Sequence, residues 1–159
     1  MRLYHGSNVA VEKPRLFRSD RRVDFGSGFY VTSSFDQAAR WAQLVTRRRG
    51  EGEPIVSMYD FDEERLDCLS VRSFDGPTVE WLRFVGENRR GVKPEELDDL
   101  VIGPVANDNT MPTLRLFFAD IYTEEEAIRR LLPQKLHDQW AFKTQAALDA
   151  LEFCGKELV

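Results

Sequence analysis

Two glycines, Gly26 and Gly28, stand immediately before a run of strand-forming residues in the segment DFGSGFYVT. The run is aromatic and β-branched, so the glycines indicate either a turn with positive φ or a backbone that a ligand approaches closely. Side chains that can hydrogen-bond a ligand occur in this strand, at Tyr30, and in two other segments, at His5 in LYHGS and Gln139 in DQWAFKT. These three segments form the candidate site.

Each segment taken alone also fits a structural role. A histidine at a strand end often serves as a hydrogen-bonding residue of the fold, and a tyrosine in an alternating strand often belongs to the core. Several common sites are excluded. The glycines precede a strand instead of following one, which does not fit a dinucleotide fingerprint, and Ser7 and Ser27 lack the setting of a nucleophile elbow.

Length and composition indicate one domain, residues 1–159, because 42% hydrophobic residues in 159 suffice for a core. The net charge of −5 argues against generic adhesion to nucleic acid. No apolar run approaches the roughly 20 residues of a bilayer span, and MRLYHGS is predicted to form a strand instead of a secretory signal. We therefore expect a cytoplasmic protein with no membrane segment.

The cysteines Cys68 and Cys154 lie far apart and show no ligand or redox spacing, so we expect both to be reduced and buried. With only His5 and His137 besides, a His/Cys metal site has too few ligands, and no metal is expected.

Basic residues are clustered at three places: Arg18 with Arg21 and Arg22, Arg47 to Arg49, and Arg89 with Arg90. Solvated loops and helix ends are the ordinary explanation for such clusters. If the fold brings two of them beside the glycine segment, they could hold a ligand that carries phosphate.

The helices and strands that must position these residues are predicted from hydrophobic periodicity and from capping residues, glycines and prolines at their ends. Strands are predicted over 2–5, 28–32, 54–61, 66–71, 99–105 and 139–144. Helices are predicted from a capping box at Ser34 to about Thr46, from Pro77 to Gly91, from a capping box at Thr123 to Pro133, and over 146–153. Strands spread along the whole chain between helices of uneven size indicate an α+β domain with a curved or split sheet.

The segments LYHGS, DFGSGFYVT, DLVIGPVANDNT and DQWAFKT, in this order, resemble the ADP-ribosyltransferase superfamily. More closely, they resemble a bacterial family of formerly unknown function in that superfamily, often encoded in toxin–antitoxin pairs. The resemblance implies a split or curved β-sheet with flanking helices and NAD as the substrate. It also implies an intracellular toxin that modifies a protein or a nucleic acid and is neutralised by an antitoxin.

The resemblance also implies roles for individual residues. His5 would hydrogen-bond the ribose of the adenosine half of NAD, and the backbone of Gly6 would pair with the nicotinamide carboxamide. Tyr30 would stack on the nicotinamide, with Gly26 and Gly28 leaving room for the ligand. The catalytic set is His5, Tyr30 and Gln139. The binding set is His5, Gly6, Ser7, Asp24, Gly28, Tyr30, Thr32 and Asp108, in which Asp24 pins the loop or meets a ligand hydroxyl and Thr32 shares the face of Tyr30.

Gln139 departs from the superfamily pattern, because many of these transferases have a glutamate at that point. An amide can accept the ribose hydrogen bond but cannot act as a general base, so the acceptor of the ADP-ribosyl group stays open. Asp108 and Asp138 are the nearest carboxylates, although Asp108 fits an Asx turn equally well. The alternatives are an NAD glycohydrolase and an inactive module that binds NAD or ADP-ribose. We expect Gln139→Glu to retain activity or to gain hydrolysis.

Overall fold

A computed structural model describes residues 1–16, 23–92, 97–106, 109–134 and 136–159. The strands are β1 Arg2–Ser7, β2 Phe29–Val31, β3 Ile55–Phe61, β4 Val71–Ser73, β5 Leu100–Pro104, β6 Asp138–Phe142 and β7 Leu151–Leu158. The α-helices are α1 Phe35–Arg49, α2 Val79–Arg90, α3 Met111–Phe118, α4 Glu124–Leu131 and α5 Gln145–Leu148, and a 3-10 helix covers Glu63–Cys68. Among the described residues, no helix combines the length and hydrophobicity that crossing a membrane requires.

The strands form a three-stranded sheet with the order β1-β3-β7 and a four-stranded sheet with the order β2-β6-β5-β4. Paired strands are antiparallel, except that β4 and β5 are parallel. The predicted α+β architecture is confirmed, and its strands are divided between two sheets.

The four-stranded sheet lies between two hydrophobic cores. The core shared with the three-stranded sheet includes Leu3, Phe29, Val31, Tyr59, Trp140 and Phe142. The core shared with α2, α3 and α4 includes Trp81, Leu82, Val85, Leu114, Leu131 and Ala141. Because side chains alternate along a strand, Phe29 enters the first core while Tyr30 packs against the second.

Helix α1 covers the outer face of the three-stranded sheet by a close approach at Gly6. A Cβ on Gly6 would collide with the main-chain carbonyl of Ala38 and stand 2.9 Å from the amide nitrogen of Ala42. Ala38 and Ala42 are the buried residues of α1. Small residues on both elements therefore let the helix backbone rest directly on β1.

The two sheets meet at one bridge, in which Tyr4 and Thr32 exchange both backbone hydrogen bonds, each 2.9 Å long. An unbroken antiparallel ladder would next bring Gly6 opposite Tyr30. No further pairing joins β1 to β2 within the described ranges. We call the place beyond the bridge where the two strands no longer pair, bordered by His5, Gly6 and Tyr30, the inter-sheet gap.

The predicted helix starts at Ser34 and Thr123 are confirmed. The hydroxyl of Ser34 accepts from the Gln37 amide, and that of Thr123 accepts from the Glu126 amide, both at 3.2 Å. The side chain of Gln37 does not complete a capping box, because it donates to the carbonyl of Asp138 instead. The α2 helix begins at Val79, with Thr78 as its N-cap, two residues beyond the predicted Pro77.

Two predictions about the elements are wrong, and one helix was not predicted. The helix predicted over 146–153 is the short α5 followed by β7, because Leu151 and Phe153 alternate with outward-facing residues and β7 pairs along its length with β3. The strand predicted over 66–71 is replaced by the 3-10 helix and β4. The sequence also fails to indicate α3, which begins near the polar turn after β5.

The cysteines are free, as expected, but both are exposed instead of buried. Cys154 lies on the outward-facing side of β7, between Phe153 and the irregularity at Gly155. Cys68 ends the 3-10 helix, which contributes no buried residue.

Replacing Gly6 by alanine should destabilise the fold by about 1–3 kcal/mol or more, because the added methyl group would force α1 away from β1. Urea unfolding of Gly6→Ala measures this loss. Gly76→Ala is the matched control, since a Cβ at Gly76 would meet nothing within 4 Å. Equal stability of the two variants would contradict the direct contact between α1 and β1.

Candidate functional site

His5 lies at the inter-sheet gap, where its imidazole bonds the neighbouring strand. Its Nδ1 lies 2.6 Å from the carbonyl oxygen of Tyr30, and its ring stacks on Phe29 with centroids 4.5 Å apart. A carbonyl can only accept, so Nδ1 carries the proton and, in the neutral ring, Nε2 is an acceptor. Burial lowers the pKa of His5, although the bond to Tyr30 opposes that effect. The ring is therefore a neutral acceptor near pH 7.

The bond from His5 replaces a ladder bond between β1 and β2. In a continued ladder, the carbonyl of Tyr30 would accept from the amide of Gly6. Because Tyr4 directs its amide and carbonyl towards Thr32, strand alternation directs the amide and carbonyl of Gly6 towards the same side, away from β3. The main chain of Gly6 thus borders the gap with one donor and one acceptor, which matches a ligand carboxamide.

Tyr30 holds the loop that precedes its own strand. Its hydroxyl donates to the carbonyl of Gly26 at 2.6 Å and accepts from the amide of Phe25 at 3.2 Å. Lys143 donates to the carbonyl of Phe25 from the other side. Burial raises the pKa of Tyr30, so the phenol keeps the proton that it donates. The ring is half-buried and fixed at its hydroxyl end.

Packing within the protein explains why glycine stands at positions 26 and 28. Gly26 has φ +75°, and a Cβ there would lie 2.8 Å from Oδ1 of Asn88. A Cβ on Gly28 would lie 2.8 Å from the carbonyl oxygen of Phe142. The prediction that these glycines leave room for a ligand is wrong on the side where a Cβ would stand, because protein atoms occupy that side.

Asp24 and Gln139 meet beneath this loop. Asp24 is 5% exposed and Gln139 is 8% exposed. Oδ2 of Asp24 accepts from Nε2 of Gln139 at 3.2 Å and from the amide of Ala106 at 3.1 Å. Oδ1 accepts from Arg89, whose guanidinium lies 2.6 Å away. Of the two roles predicted for Asp24, the structure supports the pinning of the loop.

Gln139 leaves the four-stranded sheet on the same face as Tyr30. Tyr30 pairs with Ala141 across β2 and β6, and Gln139 is two residues from Ala141, so alternation places the two side chains together. Tyr30 and Gln139 thus share one face of the four-stranded sheet, whereas the His5 ring stacks on Phe29, which points to the opposite face and into the first core.

The hydroxyl of Thr32 is engaged by neighbouring residues. It donates to Oδ1 of Asp138 at 3.0 Å and accepts from the amide of Ser34. That Thr32 shares the face of Tyr30 stays a prediction. Ser7 is buried at the end of β1, on the side of the strand that carries His5.

Asp138 joins β6 to the start of α1. Its carboxylate also accepts from the amide and hydroxyl of Ser33 and from the indole of Trp140, the last at 2.6 Å. A carboxylate with this many donors is a structural link, which does not favour Asp138 as the acid or base. Asp108 lies outside the described residues.

The basic clusters are distributed over several places. Arg89 lies beside the glycine segment, where Asp24 neutralises it, and Arg49 donates to Oδ1 of Asn8 just after β1. Arg18, Arg21 and Arg22 lie outside the described residues. The pairing of Arg89 with Asp24 is a feature that the sequence does not indicate, since 65 residues separate the partners.

A cavity of about 410 Å³ opens beside the start of β6. Its lining includes Gly103, Pro104, His137 and Asp138. Gly103 faces Gln139 across β5 and β6, and Asp138 precedes it. The cavity is therefore next to Gln139, on the side of the site away from β1.

Removing the hydroxyl of Tyr30 should loosen the loop before β2. We expect Tyr30→Phe to lose about 1–3 kcal/mol of stability, because the carbonyl of Gly26 and the amide of Phe25 each lose a partner. Urea unfolding and amide exchange at Phe25 measure the effect. Tyr4→Phe is the control, because the hydroxyl of Tyr4 bonds none of the described residues; an equal loss in both variants would contradict this role.

The neutral state of His5 should be visible in its titration. We expect the NMR titration of the His5 ring to give a pKa below the ordinary value of about 6.5. The stability that depends on neutral His5 is then present above about pH 6.5 and is lost as the pH falls through the folded-state pKa. His5→Gln should remove this dependence, and His137→Asn assigns the two ring signals. A His5 pKa at or above about 6.5 would refute the buried neutral ring.

Comparisons with known proteins identify the family of the chain. A family model described as "Protein of unknown function (DUF3990)" matches residues 1–153. No curated protein and no solved structure matches the sequence. Since the matched segment spans nearly the whole chain, the protein belongs to the DUF3990 family.

Proposed function

We propose that this chain is an NAD-dependent ADP-ribosyltransferase with a split-sheet fold of that superfamily. One observation carries the proposal: β1 stops pairing with β2 at Gly6, whose amide and carbonyl point away from β3 and have no partner among the described hydrogen bonds, next to the neutral ring of His5. This combination offers paired backbone groups for a carboxamide and an imidazole acceptor for a ribose hydroxyl. Both residues lie in LYHGS, the first of the four segments that resemble the superfamily.

In the proposed complex, the carboxamide of nicotinamide pairs with the main chain of Gly6. Nε2 of His5 accepts from a ribose hydroxyl of the adenosine half. The ring of Tyr30 stacks on the nicotinamide, and such contact with a cationic ring contributes about 0.5–2 kcal/mol. The bonds that fix the Tyr30 hydroxyl keep this ring in place before the ligand arrives.

Cleavage breaks the bond between C1′ of the ribose and the nicotinamide nitrogen. The electron pair of that bond goes to the nitrogen, so nicotinamide leaves neutral and positive charge builds on the ribose. Gln139 accepts from the neighbouring ribose hydroxyl and stabilises this charge. The nucleophile of the acceptor then bonds C1′ and gives up its proton to water, since the Gln139 amide cannot take it.

The proposed biological role is that of an intracellular bacterial toxin that acts in the cytoplasm. Its acceptor is a protein or a nucleic acid, and an antitoxin neutralises it. The cavity beside Gln139 supports an acceptor that approaches from the side of β5 and β6. The net charge of −5 disfavours an acceptor held only by phosphate contacts.

NAD hydrolysis is the second candidate, and the identity of Gln139 favours it. An amide cannot deprotonate a weakly nucleophilic acceptor, whereas water is always present at a site that forms an oxocarbenium-like cation. An inactive module that binds NAD or ADP-ribose would use the same gap without the cleavage step.

We expect NAD to bind and to raise the melting temperature, since a ligand at 100 times its Kd adds about 2.7 kcal/mol. Gln139→Ala should keep near-normal affinity while nicotinamide release falls roughly 10²–10³-fold, because the contact acts chiefly in the transition state. Calorimetry and nicotinamide release on the same preparations measure both. Gln43→Ala, on the exposed side of α1, is the matched control.

The outcomes separate the candidates. Absence of NAD binding would refute all of them, and binding without nicotinamide release would indicate the inactive module. Release without label on any macromolecule, after incubation of labelled NAD with cell extract, would indicate hydrolysis. Label that is lost on treatment with protease or with nuclease identifies the class of acceptor.

A further inference from the structure

The carboxylate of Asp24 accepts a hydrogen bond from the side chain of Gln139. Gln139 stands where many of the transferases that the chain resembles have a glutamate. We propose that Asp24, held by Arg89, is a positioning residue that fixes the orientation of the Gln139 amide and directs its oxygen to the substrate. This inference rests on the proposed function. It assigns the orientation of the site to three side chains, the partly exposed Arg89 and the buried Asp24 and Gln139.

The hydrogen bonds of Asp24 determine which end of the amide faces it. An ionised carboxylate only accepts, and here it accepts from Arg89, from the amide of Ala106 and from Nε2 of Gln139. A reversed amide would set Oε1 of Gln139 against Oδ2 of Asp24, with two acceptors in repulsive contact. Nε2 is therefore committed to Asp24, and Oε1 is the atom left to accept from the ribose hydroxyl.

Arg89 binds the other carboxylate oxygen of Asp24. Nε of Arg89 donates to Oδ1 at 2.7 Å, which leaves Oδ2 for Gln139 and Ala106. The groups that face Asp24 are Arg89 from α2, Gln139 from β6, and the neutral phenol of Tyr30 from β2. No second carboxylate adjoins Asp24 among the described contacts, and Arg89 is its one cationic partner there.

This arrangement changes the expectation for a glutamate at position 139. In Gln139→Glu, the new carboxyl would face Asp24, and two ionised carboxylates at this distance repel each other. Only a protonated carboxyl could donate to Asp24 and still direct a carbonyl oxygen outward, as Gln139 does. The carboxyl introduced by Gln139→Glu should therefore retain its proton to a higher pH than an ordinary glutamate, and the variant should lose activity when that proton leaves.

The decisive experiment compares four variants for nicotinamide release from pH 5 to 9 and for NAD affinity by calorimetry. They are Asp24→Asn, Gln139→Glu, the double variant Asp24→Asn/Gln139→Glu, and Asp98→Asn as control. Asp98 is also paired with an arginine, Arg72, at 2.7 Å, but none of the described contacts joins it to Gln139.

We expect kcat of Asp24→Asn to fall about 10–100-fold, as for other partners that orient a site residue, with NAD affinity within about threefold of wild type. Relative to wild type at the same pH, which accounts for the titration of His5, the activity of Gln139→Glu should be highest at the acid end and should fall as the pH rises through a pKa well above about 4.3. In the double variant, the amide of residue 24 can donate to an ionised glutamate, so activity at pH 8 should recover at least about tenfold over Gln139→Glu. Asp98→Asn should behave as wild type.

Two results would overturn the positioning role while leaving the proposed function intact: wild-type kcat in Asp24→Asn, or a flat pH profile in Gln139→Glu beside an active wild type. If Asp24→Asn does not fold, the profile of Gln139→Glu decides alone. A wild-type protein that neither binds nor cleaves NAD would overturn the proposed function and this inference together.

Discussion

The contact between Gly6 and the backbone of α1 is the constraint on which the arrangement of the site depends. Because Gly6 has no Cβ, α1 rests directly on β1 at the residue where β1 stops pairing with β2. The helix follows Thr32 within three residues, so it also fixes the end of β2. The contact of α1 with β1 therefore fixes both the bridge between Tyr4 and Thr32 and the place beyond it where the strands stop pairing.

The separation leaves main-chain groups that a continuous sheet would have used. His5 satisfies one of them by donating to the carbonyl of Tyr30, and this bond also selects the tautomer that makes Nε2 an acceptor. The amide and carbonyl of Gly6 stay at the border of the gap. A single interruption of strand pairing thus generates both the backbone groups and the imidazole that the proposed NAD site requires.

The other half of the site is organised by polar groups in the four-stranded sheet and α2. Three contacts hold the loop before β2: the bond from the Tyr30 hydroxyl, the bond from Lys143, and the ion pair between Asp24 and Arg89. The same loop contacts Gln139 through Asp24. An ionic pair of this kind is weak evidence for stability, but this one holds Asp24 in place, and Asp24 accepts from the Gln139 amide.

Local signals in the sequence were sufficient for much of the fold. Ser34 and Thr123 mark helix starts because capping is a contact over three residues, and the apolar strands are visible because their alternation is local. The final strand was not predicted, because Leu148 and Leu151 also fit a helical stripe and only pairing with β3 selects the strand.

The candidate site shows the same limit. His5, Tyr30 and Gln139 could be chosen from their segments, but the partners that orient them could not. Arg89 and Asp24 are 65 residues apart in the sequence, and hydrophobic periodicity predicts local structure only, so it does not indicate this contact. The space beside Gly26 and Gly28 is likewise filled by atoms from distant elements, so glycine alone could not distinguish close packing from ligand access.

The central claim is that the free main chain of Gly6 in the inter-sheet gap receives the nicotinamide half of NAD. The amide resonance of Gly6 in a proton–nitrogen NMR spectrum, followed during titration with NAD, tests it directly. We predict that this resonance shifts among the most in the chain and that its hydrogen exchange slows as NAD saturates the protein. A Gly6 amide that neither shifts nor gains protection at saturating NAD would contradict the claim.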